Sequence, residues 1–226
     1  MEPVFKTNYI PGRTIEMLTK ERILERISRT PTESFKLLMK LNRLATTIKW
    51  AQDGSSKRGK ERTVSQEQNH EIIKIWAAFE AYDVHYIICG DLAKYYYDST
   101  MHFTNEFDFY IEDNTDNRSR LSKAMEHLCI CKKGFFETIE LMPGWLNVYY
   151  NGFVLNFFTQ LNVKSERTFG QCFELASFAQ IEDVAVKFLH LNHLLESKRA
   201  ANRPKDQIDV LALEEIKKAK EERGEM

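Results

Sequence analysis

At residue 84 the spacing of apolar side chains along this chain changes. Upstream, Ile72, Ile73, Trp76 and Phe79 recur every three or four residues, the buried stripe of a helix expected from a capping signal at Ser65 and Gln68 to about residue 81. Downstream, Val84 to Cys89 (VHYIIC) is an unbroken β-branched and aromatic run that halts at Gly90, and Phe107 to Ile111 is a second one. A helix that feeds directly into short buried strands predicts a mixed α+β domain.

The remaining punctuation extends that pattern. Leu92 to Tyr97 predicts a short helix and Arg118 to Leu128 an amphipathic one, while Phe135 to Leu141, Leu146 to Tyr150 and Val154 to Phe158 read as strands. Asn151-Gly152 fits a tight hairpin because both residues tolerate positive φ, and Pro143-Gly144 marks another break. Residues 181 to 196 and 206 to 222 are expected as closing helices. The sum is a mixed β-sheet flanked by helices, from about residue 64 to the C-terminus.

Residues 1–63 read as a helical segment with a basic linker. Thr30-Pro31-Thr32-Glu33 combines a threonine cap, a proline at the first helical position and a glutamate that can close a capping box. Phe35, Leu38, Leu41, Ala45 and Ile48 then form one stripe, and a weaker helix is expected around residues 14–28. Asp53 to Lys60 has no apolar residue and two glycines, so it predicts an exposed linker and a domain boundary. Residues 1–70 hold 14 Lys and Arg against 8 Asp and Glu, giving +6, and residues 71–226 hold 18 against 25, giving −7. A basic first third suits a phosphate-rich partner, or is simply a solvated face.

No apolar run approaches the roughly 18 residues that span a bilayer, and residues 1–13 lack the apolar core of a signal peptide. The expectation is a soluble, cytoplasmic protein. Cys89 and Cys172 lie in apolar stretches that look like strands, and Cys129 and Cys131 form a C-x-C pair with no second pair at zinc-ligand spacing, so buried reduced thiols are expected. His190 and His193 are three apart, not at the four-residue spacing of a zinc protease, and read as core or surface histidines. Tyr95, Tyr96 and Tyr97 either stack a base or pack a buried helix.

Chemistry concentrates in two segments, Cys89-Gly90-Asp91-Leu92-Ala93 and His102-Phe103-Thr104-Asn105-Glu106-Phe107-Asp108. Glu106 and Asp108 are two residues apart on a strand, so both carboxylates point to one face and can converge on a hard cation. A glycine turn after a strand offers backbone N–H groups to phosphate, and carboxylates beside it can hold the magnesium that accompanies the phosphate.

Strand, glycine turn, short helix, His-x-Thr-x-acid-x-acid on the next strand, a late lysine and Arg203-Pro204-Lys205-Asp206 occur in that order. In this the chain resembles the nucleotidyltransferase superfamily, and within it the AbiEii-like branch of phage-defence and toxin-antitoxin proteins, over about residues 80–215. The resemblance implies transfer of a nucleoside monophosphate from a nucleoside triphosphate to a hydroxyl, with Mg (or Mn) as cofactor. The acceptor it implies is a tRNA end, a protein hydroxyl or a small molecule, with an antitoxin-like protein as a further partner. It puts Gly90 and Asp91 against the triphosphate, Glu106 and Asp108 on the metal, and His102, Thr104, Lys187, Arg203, Lys205 and Asp206 around the nucleotide.

Four residues depart from that pattern. Asp91 puts a carboxylate where a small neutral residue lets phosphate approach, and Glu106 is one methylene longer than the usual aspartate. His102 replaces an arginine. Asn156 stands where the third carboxylate is expected, and an amide cannot act as a base toward an attacking hydroxyl. The alternative reading is therefore a catalytically inactive relative that binds a nucleotide or a protein partner.

Overall fold

The computed structural model describes residues 24–25, 28–30, 32–37, 61–98, 105–138, 145–161, 163 and 167–224. Residues 24–25 and 28 are helical, and a helical stretch over 32–37 follows. Helix α1 (Glu61–Ala81) then leads to β1 (Tyr86–Ile88), α2 (Gly90–Asp98), β2 (Glu106–Ile111), α3 (Thr115–His127) and a one-turn α4 (Phe135–Thr138). Next come the hairpin of β3 (Trp145–Tyr150) and β4 (Phe153–Phe158), helix α5 (Phe169–Glu174) and the hairpin of β5 (Ser177–Ile181) and β6 (Val184–Phe188). Helices α6 (Leu191–Ala201) and α7 (Pro204–Glu222) end the series.

The strands form one mixed sheet in the order β3-β4-β2-β1-β6-β5. β1 is antiparallel to β2 and parallel to β6, and β2 is parallel to β4, so the central strands carry the long-range connections. The mixed α+β class expected from the sequence is the class observed. One sheet face is apolar by strand alternation, with Tyr86, Ile88, Phe107, Phe109, Leu155 and Phe157 all buried. Helix α1 lies on this face. Its Phe79 ring meets Tyr86 at 5.1 Å and Phe109 at 5.5 Å, both edge-on, and Ile72, Ile75 and Trp76 are fully enclosed.

Local chemistry explains most boundaries. Asn151 and Gly152 both have positive φ, 46° and 85°, so the predicted hairpin turn forms between β3 and β4. Asn114 caps α3 by accepting a 2.8 Å bond from the Asn117 amide, and Thr168 and Gln171 cap α5 reciprocally. Helix α6 stops at Asn202, which is left-handed at φ 49°, and Pro204 restarts the chain as the first turn of α7.

Several expectations are corrected. Residues 181–188 are not helical: Val184, Ala185, Val186, Lys187 and Phe188 alternate buried and half-buried as a strand, paired with β5 across a turn where Glu182 has φ 54°. Two β-branched residues at two-residue spacing outweigh the helical reading there. Phe135 begins a helical turn rather than a strand, and Cys172 lies on α5. α1 starts at Glu61, running through the Ser65 cap signal. Of the thiols, Cys89 and Cys172 are buried, whereas Cys129 is exposed; all are free. The linker at 53–60, the stripe from Leu38 to Ile48 and Pro143-Gly144 lie outside the described residues.

The described part of the N-terminal segment packs on the sheet domain. Thr30 and Glu33 form the expected capping box, with the Thr30 amide donating to Glu33 Oε2 at 2.8 Å and the Glu33 amide to Thr30 Oγ1 at 3.2 Å. Thr32 Oγ1 donates to the Gln180 carbonyl at 2.9 Å and accepts from the Glu182 amide, tying this turn to the β5–β6 end of the sheet. Phe35 is buried against Trp76, with ring centroids 5.1 Å apart. Phe35→Ala should therefore cost about 3 kcal/mol in urea unfolding. A loss below about 0.5 kcal/mol, the range of ordinary surface changes, would mean the segment adds nothing to the core.

Candidate functional site

The polar face of the sheet carries a short row of side chains across three strands. Parallel pairing of β2 and β4 sets Asp108 opposite Asn156, and antiparallel pairing of β4 and β3 sets Asn156 opposite Asn147. The Asn156 side-chain N–H donates to Asp108 Oδ1 at 2.7 Å. By alternation, Glu106 lies on the same face as Asp108, at the exposed end of β2.

Gly90 closes this row from above. The Cys89 amide donates to the Asp108 carbonyl at 2.8 Å, which fixes the turn against β2, and Gly90 follows with φ 63°. A Cβ built at Gly90 would lie 1.8 Å from Asp108 Oδ2. Any other residue would have to displace the carboxylate, besides adopting a left-handed backbone. The glycine is required by the close approach as well as by the turn.

Around the turn, six charged groups neutralise one another. Asp91 sits in the first turn of α2; its carboxylate lies 2.6 Å from the Lys198 ammonium and 3.3 Å from that of Lys205. Lys198 is itself buried, and reaches Asp209 at 2.8 Å and Asp206 at 3.4 Å. Arg203 holds Asp206 through Nε at 2.6 Å and Nη2 at 3.2 Å. Behind Lys198, Lys94 bonds Asp98 at 2.7 Å and reaches Asp209 at 3.5 Å, both deeply buried. Burial pushes the Asp91 carboxyl up, but the Lys198 and Lys205 charges prevail and hold it below the usual carboxylate range.

Asp108 is shifted the other way. Burial raises its carboxyl above the usual range, the Asn156 bond lowers it in part, and the nearby Asp91 and Glu106 charges raise it further. Asp91, Asp206 and Asp209 balance Lys198, Lys205 and Arg203, and Glu106 and Asp108 add two further carboxylates beside the turn. A buried carboxyl held above its usual range with other carboxylates beside it is an environment that gains from a cation.

Of the residues singled out from the sequence, Gly90, Asp91, Asp108, Asn156, Lys205 and Asp206 come together directly. Arg203 feels the Asp91 and Asp108 charges, and Asp108 that of Glu106. His102 and Thr104 lie outside the described residues. Lys187 is engaged elsewhere: its ammonium donates to the Phe173 carbonyl at 3.3 Å and lies 3.7 Å from the centre of that ring. The lysine at the turn is Lys198, which sequence reasoning missed because it sits on an amphipathic helix among other basic residues. Its signal is position alone: it lies on the face of α6 that also buries Leu191, Leu194 and Leu195. Tyr96 stacks on Phe188 at 4.4 Å, and the Tyr97 hydroxyl donates to the Leu189 carbonyl at 2.9 Å, so these two tyrosines are packing groups.

No protein-family model matches this chain, and no curated protein matches its sequence. Among the described residues no group of three His, Cys, Asp or Glu side chains is arranged to hold a metal. Glu106 and Asp108 share one strand face, and two carboxylates so placed could supply two ligands to a magnesium that draws its others from phosphate and water, the usual arrangement for that ion. They do not fit a second metal, because Asn156 turns its N–H toward Asp108 and places a donor where a further anionic ligand would be needed.

Two outcomes follow from this geometry. Gly90→Ala should lose at least about 2 kcal/mol, against about 1 kcal/mol for Gly134→Ala, where φ is 68° but the nearest atom to a new Cβ is 3.9 Å away. Equal losses in thermal unfolding would remove the Asp108 contact from the account. Lys198→Met should destabilise by about 3 to 5 kcal/mol at pH 7, because buried carboxylates lose their partner. Asp91 and Asp206 have lowered folded-state pKa values, so the stability they confer is present above the unfolded value of about 3.9 and is lost as pH falls through the folded one. The variant lacks much of that contribution, so its deficit in urea unfolding should hold from pH 7 to about pH 4 and shrink as pH falls further, where the parent loses the same contribution; a deficit unchanged below about pH 4 would contradict the charge balance.

Proposed function

We propose that this chain is a nucleotidyltransferase-like protein of the AbiEii-like type that binds a nucleoside triphosphate at the Gly90 turn and transfers its nucleoside monophosphate to a hydroxyl acceptor. The observation that supports this reading best is the meeting of a glycine backbone, the Asp108 carboxylate and the cations Lys198, Arg203 and Lys205 at one point of the sheet. Phosphoryl transfer asks a protein chiefly for positioning and charge neutralisation, and this set supplies both.

The roles divide by position. Backbone N–H groups at the start of α2 face the phosphates. Arg203, whose side chain is 60% exposed, keeps N–H donors beyond those used on Asp206 and neutralises non-bridging oxygens. Glu106 and Asp108 would hold one Mg (or Mn), which when bound supplies Lewis-acid stabilisation to phosphate oxygen. Asn156 keeps Asp108 oriented. The acceptor oxygen attacks the α-phosphorus, pyrophosphate leaves, and the acceptor proton goes to Glu106, Asp108 or water, since Asn156 cannot take it. A tRNA end, a protein hydroxyl and a small molecule remain the acceptor classes, and an antitoxin-like protein a further partner.

A second reading has its own support. The Asn156 amide occupies one oxygen of Asp108 at 2.7 Å, a contact that suits holding a nucleotide without turning it over. Incubation with each radiolabelled nucleoside triphosphate, Mg or Mn and total tRNA distinguishes the two. Label transfer that is abolished by Asp108→Ala supports the enzyme. A nucleotide-dependent rise in melting temperature without transfer supports the binder. Absence of both would overturn the proposal.

A further inference from the structure

We infer that Asp91 is an internal competitor for the phosphate subsite, a carboxylate that occupies the cations a triphosphate needs and must be displaced before phosphate can bind. The inference rests on the phosphate-binding reading above and names how that site is regulated. An ammonium has three N–H donors. Those of Lys198 face Asp91 at 2.6 Å, Asp209 at 2.8 Å and Asp206 at 3.4 Å, so this lysine is saturated by the protein's own anions. Lys205 has a side chain 56% exposed, and it too reaches Asp91, at 3.3 Å.

Of the three carboxylates, Asp206 and Asp209 are buried to within a few per cent, whereas the Asp91 side chain is 26% exposed. Asp91 is thus the one that an incoming anion can reach and replace. It is seated in the first turn of α2, where the helix dipole favours negative charge and where a phosphate would otherwise dock. Asp91 and a phosphate oxygen therefore seek the same two ammonium groups and the same helix end. Displacement is feasible without unfolding, because Lys198 keeps Asp206 and Asp209 when Asp91 swings away.

The test is binding of inorganic tripolyphosphate, with and without Mg, to the full chain and to Asp91→Asn and Asp91→Ser, followed by calorimetry. Each variant keeps an acceptor for Lys198 while removing the competing charge. Both should bind about tenfold tighter than the parent, the equivalent of one relieved charge contact. Lys205→Met should weaken binding more in the Asp91→Asn background than in the parent, where Asp91 already engages that lysine. Equal or weaker binding by folded Asp91 variants would overturn the inference and leave the phosphate site standing. Failure of the parent and both variants to bind tripolyphosphate or any nucleoside triphosphate would overturn the phosphate reading itself, and the inference with it. Loss of folding in both variants would make Asp91 a structural anchor and also overturn it.

Discussion

The candidate site is organised by the approach of a backbone to a carboxylate. Gly90 lies so near Asp108 that a methyl group there would overlap Oδ2. That contact can exist only because β1 ends at Ile88, the ladder carries on by one amide at Cys89, and a left-handed residue then turns the chain into α2. Everything polar at the site is placed from this point. α2 carries Asp91 to Lys198 and Lys205, and β2 carries Asp108 to Asn156 through the parallel register with β4.

The charges around the turn form an alternating string from Asp98 through Lys94, Asp209, Lys198 and Asp91 to Lys205, running from the fully buried interior to the surface. Buried ion pairs of this kind are poor sources of net stability, but breaking one leaves an uncompensated charge, so they fix geometry strongly. Here the geometry fixed is that of α2 against the α6–α7 pair. It also changes the meaning of Asp91. Taken alone, a carboxylate beside a phosphate turn is repulsive. With two lysines on it, Asp91 stands, on the proposed reading, where the anion would sit.

The sheet and the turn were largely legible in the sequence because their signals are local. VHYIIC ending at Gly90, the Asn151-Gly152 hairpin and the Thr30 to Glu33 capping box depend on neighbours within a few residues, and each forms as expected. The pairing of Glu106 with Asp108 on one face follows from strand alternation alone. What local pattern does not carry is long-range choice. Val184 to Phe188 is a strand because β1 offers it a partner, with Ile88 opposite Phe188. Lys187 then falls beside α5, where Phe173 takes it. Lys198 is recruited to the turn by Asp91, more than a hundred residues earlier, a pairing no periodicity encodes.

The central claim is that the carboxylates of β2 and the glycine turn form one site for a metal-bound triphosphate. A crystal structure of the chain soaked with magnesium and a non-hydrolysable nucleoside triphosphate tests it most directly. The account predicts one metal between Glu106 and Asp108, phosphate oxygens on the Gly90 turn and Arg203, and Asp91 withdrawn from Lys205. A triphosphate bound on another surface, or a metal that ignores Asp108 at saturating concentration, would contradict it.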